Sequence, residues 1–189
     1  MSKVKIGVSA CLVGKKCNYN GEDIKSQFIS GLQKKPSIEF VLYCPEEAIF
    51  GSPRPNLRIV GGDGEDVLIG AAKVINENEE DVTEQQIEGA QKFLKKLVAA
   101  NVKYAILTEG SPSCGSSIIL AETNWPSGGF KRGVGVAAAL LKREGIKVLG
   151  SFNEKEIGEF LNDLVEDYNV PSGLVNLADF PKFEPLFAE

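Results

Sequence analysis

The 189-residue sequence contains no histidine. This absence excludes histidine-based catalytic triads, the two-histidine-one-carboxylate iron site, histidine zinc sites and any imidazole general base. Proton transfer must therefore depend on carboxylates, water, lysine, tyrosine or thiols. If the protein is an enzyme, a carboxylate is the expected catalytic base.

Long apolar runs and an excess of basic charge are also missing. No apolar stretch approaches the ~18 residues needed to span a bilayer, and the amino terminus lacks the hydrophobic region of a secretory signal. The chain has 21 Lys and Arg against 26 Asp and Glu, and its net charge of -5 repels a phosphate backbone. We therefore expect a cytoplasmic protein that binds a small molecule rather than a membrane or a nucleic acid. The sequence gives no indication of the oligomeric state.

The four cysteines lack the short spacings of common metal motifs. No Cys-x-x-Cys pair is present, and the spacings of bacterial and plant-type ferredoxins are absent. The cysteines are also too few and too dispersed for a secreted disulfide framework, and a reducing cytosol would keep them as thiols. Their use is therefore packing, redox chemistry or metal binding, and spacing alone does not decide among these.

Apolar segments alternate along the chain between strand patterns and helix patterns. Strands are predicted at residues 4–9, 39–43, 104–108 and 146–149. Helices are predicted at residues 24–32, 83–98, 134–145 and 152–168. A small hairpin interrupts this alternation, at residues 57–60 and 67–69 with a continuation at 72–75. Because parallel strands need crossover connections, the pattern predicts an α/β, Rossmann-like parallel sheet with helices on both faces and a small hairpin excursion.

One domain is expected for a chain of this length. Residues 1–150 are predicted to form the α/β core, and residues 151–189 a helical C-terminal extension that packs on the same domain. Capping-box patterns at Thr83 and Ser151 predict helices that begin there. A short helix after the second predicted strand would carry Glu46 in its first turn.

Three cysteines follow predicted strands. Cys11 and Cys44 come after the first two strands, and Cys114 lies in the loop after the third. In open parallel sheets ligands bind beyond the carboxyl ends of the strands, so the topology brings these three thiols to one edge. A lone cysteine is more often a small buried hydrophobic residue. Three at one edge indicate a metal centre instead, without identifying the metal.

The local sequences around these cysteines are more specific. In chain order they are Ser9-Ala10-Cys11-Leu12-Val13-Gly14, Asn18-Tyr19-Asn20-Gly21, Cys44-Pro45-Glu46, and Ser111-Pro112-Ser113-Cys114-Gly115 ahead of Gly133-Val134-Gly135-Val136. Together they closely resemble the thiouracil desulfidase-like family of small iron-sulfur proteins, formerly a domain of unknown function. The resemblance covers about residues 3–149.

This resemblance implies a 4Fe-4S cluster held by Cys11, Cys44 and Cys114, whose fourth iron is free to take sulfur from a substrate. It also implies that Glu46 and Ser111 assist the chemistry. The implied function is a desulfidase that removes sulfur as sulfide, without net redox change, from a thiolated heterocycle such as 2-thiouracil. The expected ligands are therefore a small thiolated heterocycle and sulfide.

Cys17, six residues beyond Cys11, has several interpretations. It could be a fourth cluster ligand, a cap that substrate displaces, a metal-delivery thiol or a loop residue. Permanent ligation by Cys17 would remove the open iron. Two other functions also stay open: a cluster-based sulfur carrier in thiolation reactions, which needs the same three thiolates, and a structural zinc-binding module.

Several further residues are weaker candidates for ligand contacts. Arg54, Lys131 and Arg132 could meet an anionic group of a ligand, although exposed solvation is the simpler role for each. Tyr19 and Trp125 could stack on a heterocycle, although each is more often a packing residue.

Overall fold

The computed structural model describes residues 3–122, 129–166 and 168–187. In chain order its elements are β1 Val4–Ser9, α1 Gln27–Leu32, β2 Ile38–Tyr43, α2 Glu47–Phe50, β3 Leu57–Val60, α3 Gly64–Leu68, β4 Lys73–Asn76, α4 Thr83–Ala99, β5 Tyr104–Leu107, β6 Ile118–Leu120, β7 Phe130–Arg132, α5 Val136–Arg143, β8 Lys147–Gly150, α6 Glu154–Leu164 and α7 Glu184–Phe187. Short 3-10 helices occur at Ala10–Val13 and Leu177–Asp179. Within these described ranges, no helix has both the length and the apolar character needed to cross a membrane.

The central sheet has four parallel strands in the order β2-β1-β5-β8. Alternate side chains of β5 point to opposite faces of the sheet. Ala105 and Leu107 are buried in an apolar cluster with α4 and α5, whereas Ile106 is buried in a second cluster with α1 and α6. The predicted Rossmann-like fold, a parallel sheet covered by helices on both faces, is confirmed.

The small strand pair outside the central sheet differs from the predicted hairpin. Strand β3 pairs antiparallel with β4, and helix α3 occupies the segment where a strand at 67–69 was expected. That strand prediction is wrong, because Asp63 caps the helix by accepting the Glu65 N–H at 2.8 Å. Asp66 completes the capping box by accepting the Asp63 N–H. A short apolar run is ambiguous between strand and helix, and here the cap decides.

Two helices begin later than predicted, whereas α4 begins at Thr83 as predicted. Helix α1 begins at Gln27 because the Ser26 hydroxyl accepts the N–H of Ile29 at 3.2 Å. Thr83 is inside α4, and its hydroxyl accepts the N–H of Val74 on the neighbouring strand. Ser151 does not cap α6, because it accepts the N–H of Glu109 instead.

Helix α4 buries Ala90, Phe93 and Leu97, and Ile87 and Leu94 are partly buried beside them. Phe93 is fully buried and stacks on Tyr43 with ring centroids 5.3 Å apart, whereas Val98 near the end of the helix is 64% exposed. Gly89 allows a close approach to the segment that follows β2, because a Cβ at this position would lie 2.7 Å from the carbonyl oxygen of Pro45.

The chain after β8 packs on the rest of the molecule in two places. Ile157 and Leu161 of α6 are fully buried on the face of the sheet that α1 also covers. Further along, Phe183 is fully buried in an aromatic cluster beside β6 and β7. We therefore propose that residues 151–189 form an extension that belongs to one domain with the core at 1–150.

Backbone segments also meet without side chains between them at the start of α5. A Cβ on Gly135 would lie 2.4 Å from the carbonyl carbon of Ser113, and the N–H of Ala137 donates to the Ser113 carbonyl oxygen at 2.8 Å. The turn that carries Cys114 is therefore fixed against the first turn of α5, and only glycine fits at 135.

Replacing this glycine should destabilise the protein. We expect Gly135→Ala to lower the free energy of unfolding by about 1–3 kcal/mol, because the added methyl group overpacks two backbone segments. Urea denaturation measures the change. Gly31→Ala is the matched control, since a Cβ there meets nothing within 4 Å in helix α1. That variant should be neutral or up to about 1 kcal/mol more stable, and an equal loss in both variants would contradict the steric explanation.

Candidate functional site

A cavity of about 240 Å³ lies at the carboxyl edge of the parallel sheet. Cys11 follows β1, Cys44 follows β2, and Cys114 lies in the turn after β5. All three thiols line this cavity, together with Cys17 and the polar residues Ser9, Glu46, Arg54, Thr108, Glu109 and Ser111. The structure thus brings the cysteines that were predicted to meet there together at one edge of the sheet.

Hydrogen bonds hold the cysteines that follow β1 and β2. The Cys11 Sγ lies 3.1 Å from the Thr108 Oγ1, and the Thr108 N–H donates to Ser9 at 3.1 Å, which joins the ends of β1 and β5. The Cys44 Sγ accepts the N–H of Glu47 at 3.4 Å. Each of these two thiols therefore has a polar partner in the metal-free protein.

Cys17 is fully buried, and its carbonyl oxygen accepts a hydrogen bond from the Cys44 thiol at 3.5 Å. The hydrogen bond with Cys17 lowers the pKa of the Cys11 thiol, and the equivalent bond lowers the pKa of Cys44. The pKa of Cys17 itself is raised, first by its hydrogen bonds with Cys11 and Cys44 and then by burial. Of these three thiols, Cys11 and Cys44 therefore ionise more readily than Cys17.

Cys114 differs from these three. Its side chain is buried, and loss of solvation raises the pKa of its thiol well above the ordinary value. Its backbone N–H donates to the Ser111 hydroxyl oxygen at 3.1 Å. The turn therefore holds Cys114 through its backbone and leaves the thiol at the cavity wall.

A buried ion pair joins Glu46 and Arg54 at the same cavity. The Arg54 Nε donates to the Glu46 Oε2 at 3.2 Å, and its Nη2 donates to the same oxygen. Burial alone would lower the pKa of Arg54, but the charge and hydrogen bonds of Glu46 outweigh it and raise the pKa. The interpretation of Arg54 as an exposed, solvated residue is wrong, because only 2% of its side chain is exposed.

Glu46 and Ser111 lie next to each other, although 65 positions separate them in the sequence. The Ser111 hydroxyl donates to the Glu46 Oε1 at 3.5 Å and accepts the backbone N–H groups of Ser113 and Cys114 at 3.1 Å. Glu46 was expected in the first turn of α2. It is instead the residue just before that helix, its side chain makes no capping bond, and it is free to face Arg54 and Ser111.

A family model described as 2-thiouracil desulfurase matches residues 6–153 of the chain. The chain belongs to this family. The resemblance that four sequence motifs indicated is thereby confirmed.

The chain is also similar to an uncharacterized relative and to a solved structure. The uncharacterized protein YbbK of Bacillus subtilis (strain 168) is 43% identical over 155 residues, which are 82% of this chain and 98% of YbbK. The solved structure of the 4Fe-4S-dependent thiouracil desulfidase TudS superposes with a TM-score of 0.68 at 33% identity, and the match covers 86% of this chain and all of that one. At 33% identity the two proteins resemble each other in sequence as well as in fold.

The donor set fits an iron-sulfur cluster in its chemistry. All four cysteines are free thiols, and thiolates are the ligands that iron-sulfur clusters use. Among the described residues, no three Cys, Asp or Glu side chains lie close enough together to hold a single metal ion. A cluster makes a different demand, since each thiolate binds a separate iron and the sulfur atoms lie farther apart. The assignment of Cys11, Cys44 and Cys114 as ligands stays a prediction.

Two residues that sequence reasoning did not single out help to build the site in this family member. Thr108 contacts Cys11, and Glu109 accepts the N–H groups of Ser116, Ser117 and Ile118 at 3.1, 3.2 and 3.2 Å. Glu109 therefore shapes the chain just after the Cys114 turn. Both follow β5 directly, and that position at the carboxyl end of a strand was the signal that could have identified them.

The weaker candidates separate into two groups. Tyr19 lies at the cavity and is 41% exposed, whereas Lys131 is engaged elsewhere, donating to Glu122 at 2.7 Å and to the Gly62 carbonyl oxygen at 2.8 Å. Arg132 lies over the ring of Phe187, 5.6 Å from its centroid. Trp125 lies outside the described residues.

Removal of the Arg54 guanidinium should destabilise the folded protein. We expect Arg54→Met to lower the free energy of unfolding by about 3–5 kcal/mol, because it leaves a buried carboxylate without its partner. Denaturation of the metal-free protein measures this loss, and adding Glu46→Gln should restore part of it. The control is Lys15→Met, which removes a pair with Glu47 in which the lysine is 54% exposed and should cost at most about 1 kcal/mol. Similar losses in both variants would contradict the importance of burial.

Proposed function

We propose that the protein is a 4Fe-4S-dependent desulfidase that releases sulfide from a thiolated heterocycle, with 2-thiouracil as the leading substrate. The observation that carries this proposal is the Glu46–Ser111 contact beside Cys114, in a cavity that three strand-end cysteines also line. Membership of the desulfurase family and the 33% identity to TudS support it.

The cavity suits a small ring. Apolar side chains form part of its wall, among them Tyr19, Tyr43, Leu120 and Phe130. Its volume of about 240 Å³ lies just below the range typical of drug-sized ligands and must also accommodate the cluster, so the substrate has to be small. Polar groups for orientation come from Glu46 and Ser111.

Cys11, Cys44 and Cys114 would hold the cluster at this cavity. When bound, the cluster would supply an iron with an open position, a Lewis acid suited to the soft sulfur of the substrate. Cys17 is not needed as a fourth ligand in this arrangement. Its burial in the same cluster as Cys11 and Cys44, and the hydrogen bond from the Cys44 thiol to its carbonyl oxygen, instead support a role beside the ligands.

Glu46 would act as the general base. Its Oε2 is held by Arg54 and its Oε1 faces Ser111, so the carboxylate has a fixed orientation. It takes a proton from a water molecule that attacks the thiocarbonyl carbon. Ser111, fixed by two backbone N–H groups, orients that water or a ring atom of the substrate.

The proposed reaction balances without a redox partner. Water supplies the oxygen of the new carbonyl group, the carbon-sulfur bond breaks, and the sulfur leaves with two protons as hydrogen sulfide. No electrons are transferred to or from the protein. Glu46 returns its proton to the departing sulfur, which restores the carboxylate for the next turnover.

Anaerobic reconstitution with iron and sulfide tests the function directly. We expect about four irons per chain and a brown protein, and repeated release of equal amounts of sulfide and uracil from 2-thiouracil. A single stoichiometric release without turnover would favour a sulfur carrier. A colourless protein that binds one zinc would overturn the proposal.

Replacement of the base should separate chemistry from cofactor binding. We expect Glu46→Gln to lower kcat about 100- to 10,000-fold, because a general base typically contributes that much, with iron content unchanged. The neighbouring carboxylate provides the control, since Glu47 pairs with the exposed Lys15 and Glu47→Gln should keep the parent activity. Normal desulfuration by Glu46→Gln would remove this residue from the mechanism.

The cysteines should differ in their effect on the cluster. We expect Cys11→Ser, Cys44→Ser and Cys114→Ser to lose iron on reconstitution, whereas Cys17→Ser retains about four irons per chain because its hydroxyl can still hydrogen-bond with neighbouring thiolates. Iron and sulfide analysis with an absorption spectrum measures this. Loss of iron in Cys17→Ser would identify Cys17 as a permanent ligand and leave no open iron for a substrate.

A further inference from the structure

The cavity wall continues into the C-terminal segment through a pair of aromatic rings. Phe130 on β7 lines the cavity, as does Leu120, its partner on β6. The ring of Phe183 meets that of Phe130 edge-on, with centroids 5.1 Å apart and planes at 79°. This geometry is a favourable one for two aromatic side chains, so the C-terminal segment contacts the back of a residue that faces the site.

Phe130 is tightly confined on its other side. Gly110 has a φ of 78°, and a Cβ there would lie 2.7 Å from the Cε1 of Phe130. The ring therefore packs directly on the backbone that leads into Ser111. Any shift of Phe130 changes the width of the cavity next to the residue proposed to orient water or substrate.

The residue behind Phe130 is itself held firmly. Phe183 is fully buried and packs on Phe152 and Phe180, with centroids 5.8 and 6.1 Å apart. The Lys182 ammonium lies 4.6 Å from its centroid. Because buried side chains occupy close-packed positions, Phe183 leaves Phe130 little room to retreat from the cavity.

This support comes from outside the matched family region. The family model ends at residue 153, and the segment that carries Phe183 is tied back by the N–H of Leu177, which donates to Asn153 at 3.0 Å. An ion pair of 2.9 Å between Lys155 and Asp179 adds a second attachment. The segment thus contacts the cavity wall from a part of the chain that the shared family sequence does not include.

We propose that Phe183 is a positioning residue that sets the width of the cavity through Phe130, so that the C-terminal segment determines which thiolated rings are accepted. This inference rests on the proposed desulfidase function for its substrate class. Phe183 touches neither substrate nor cofactor in this proposal. It acts only by preventing Phe130 from moving outward.

The test is a graded series, Phe183→Leu, Phe183→Val and Phe183→Ala, assayed with 2-thiouracil and with a 2-thiouracil that carries a propyl group on the ring. The preference for the unsubstituted ring is measured as the ratio of the two kcat/KM values. This ratio should fall in step with the side-chain volume removed, and in Phe183→Ala it should be about 10-fold lower than in the parent protein. KM for 2-thiouracil should rise while kcat and iron content stay near the parent values. Phe183→Leu should keep most of the preference, and Phe183→Val still provides the comparison if the alanine variant does not fold.

The matched control is Phe187→Ala. This residue belongs to the same aromatic cluster but contacts Arg132, which does not line the cavity. It should keep the parent preference. An unchanged preference throughout the Phe183 series would overturn the proposal, and so would an equal fall in Phe187→Ala, which would indicate general loosening.

A second measurement does not depend on desulfidase activity. In cluster-free protein, alkylation of the half-buried Cys44 by iodoacetamide and by the bulkier N-phenylmaleimide reports the width of the cavity by mass spectrometry. The ratio of the N-phenylmaleimide rate to the iodoacetamide rate should rise in Phe183→Ala and not in Phe187→Ala. An unchanged ratio overturns the inference, whereas a parent protein that releases no sulfide overturns only the proposed function.

Discussion

The buried ion pair between Glu46 and Arg54 is the interaction on which the site depends. A buried charge without a partner costs several kcal/mol, so loss of either charge destabilises the site. The Arg54 side chain also donates to the carbonyl oxygens of Cys17 and Gly51, at 2.9 and 3.1 Å. Its backbone N–H donates to the carbonyl oxygen of Tyr19. One guanidinium therefore joins the loop after Cys11 to the segment after Cys44. It fixes the carboxylate proposed as the base and two parts of the cavity wall at once.

The cavity concentrates acidic groups, and their surroundings shift their pKa values in opposite directions. Hydrogen bonds with Cys17 lower the pKa values of the Cys11 and Cys44 thiols, whereas burial raises the pKa of the Cys114 thiol. Thiolate ligation requires loss of the thiol protons, so cluster binding and the charge of the cavity are linked. Arg54, whose pKa is raised by Glu46, stays cationic throughout. It offsets part of the negative charge in a site that would otherwise repel its own carboxylate.

The convergence of the cysteines could be predicted from sequence because it depends only on topology. Parallel strands end at one edge, whatever packs around them. Other features depend on tertiary contacts that no local pattern contains. The close approach of α4 to Pro45 depends on the absence of a side chain at Gly89, and Arg54 is buried because a carboxylate eight residues earlier in the chain pairs with it. The short run at 67–69 satisfies strand and helix patterns alike, and the Asp63 cap decided between them.

The division between the shared family region and the C-terminal segment has a physical logic. The thiols, Glu46 and Ser111 all lie within residues 6–153, the region that the family model matches, so the groups proposed for the chemistry belong to the common core. Phe130 also lies in that region, but its outer face is covered by Phe183 from beyond it. One side of the Phe130 ring packs on the backbone at Gly110, and Phe183 packs against the ring from outside the cavity. Under the proposed function, changes in this segment would alter the choice of substrate while Glu46, Ser111 and the cysteines stay in place.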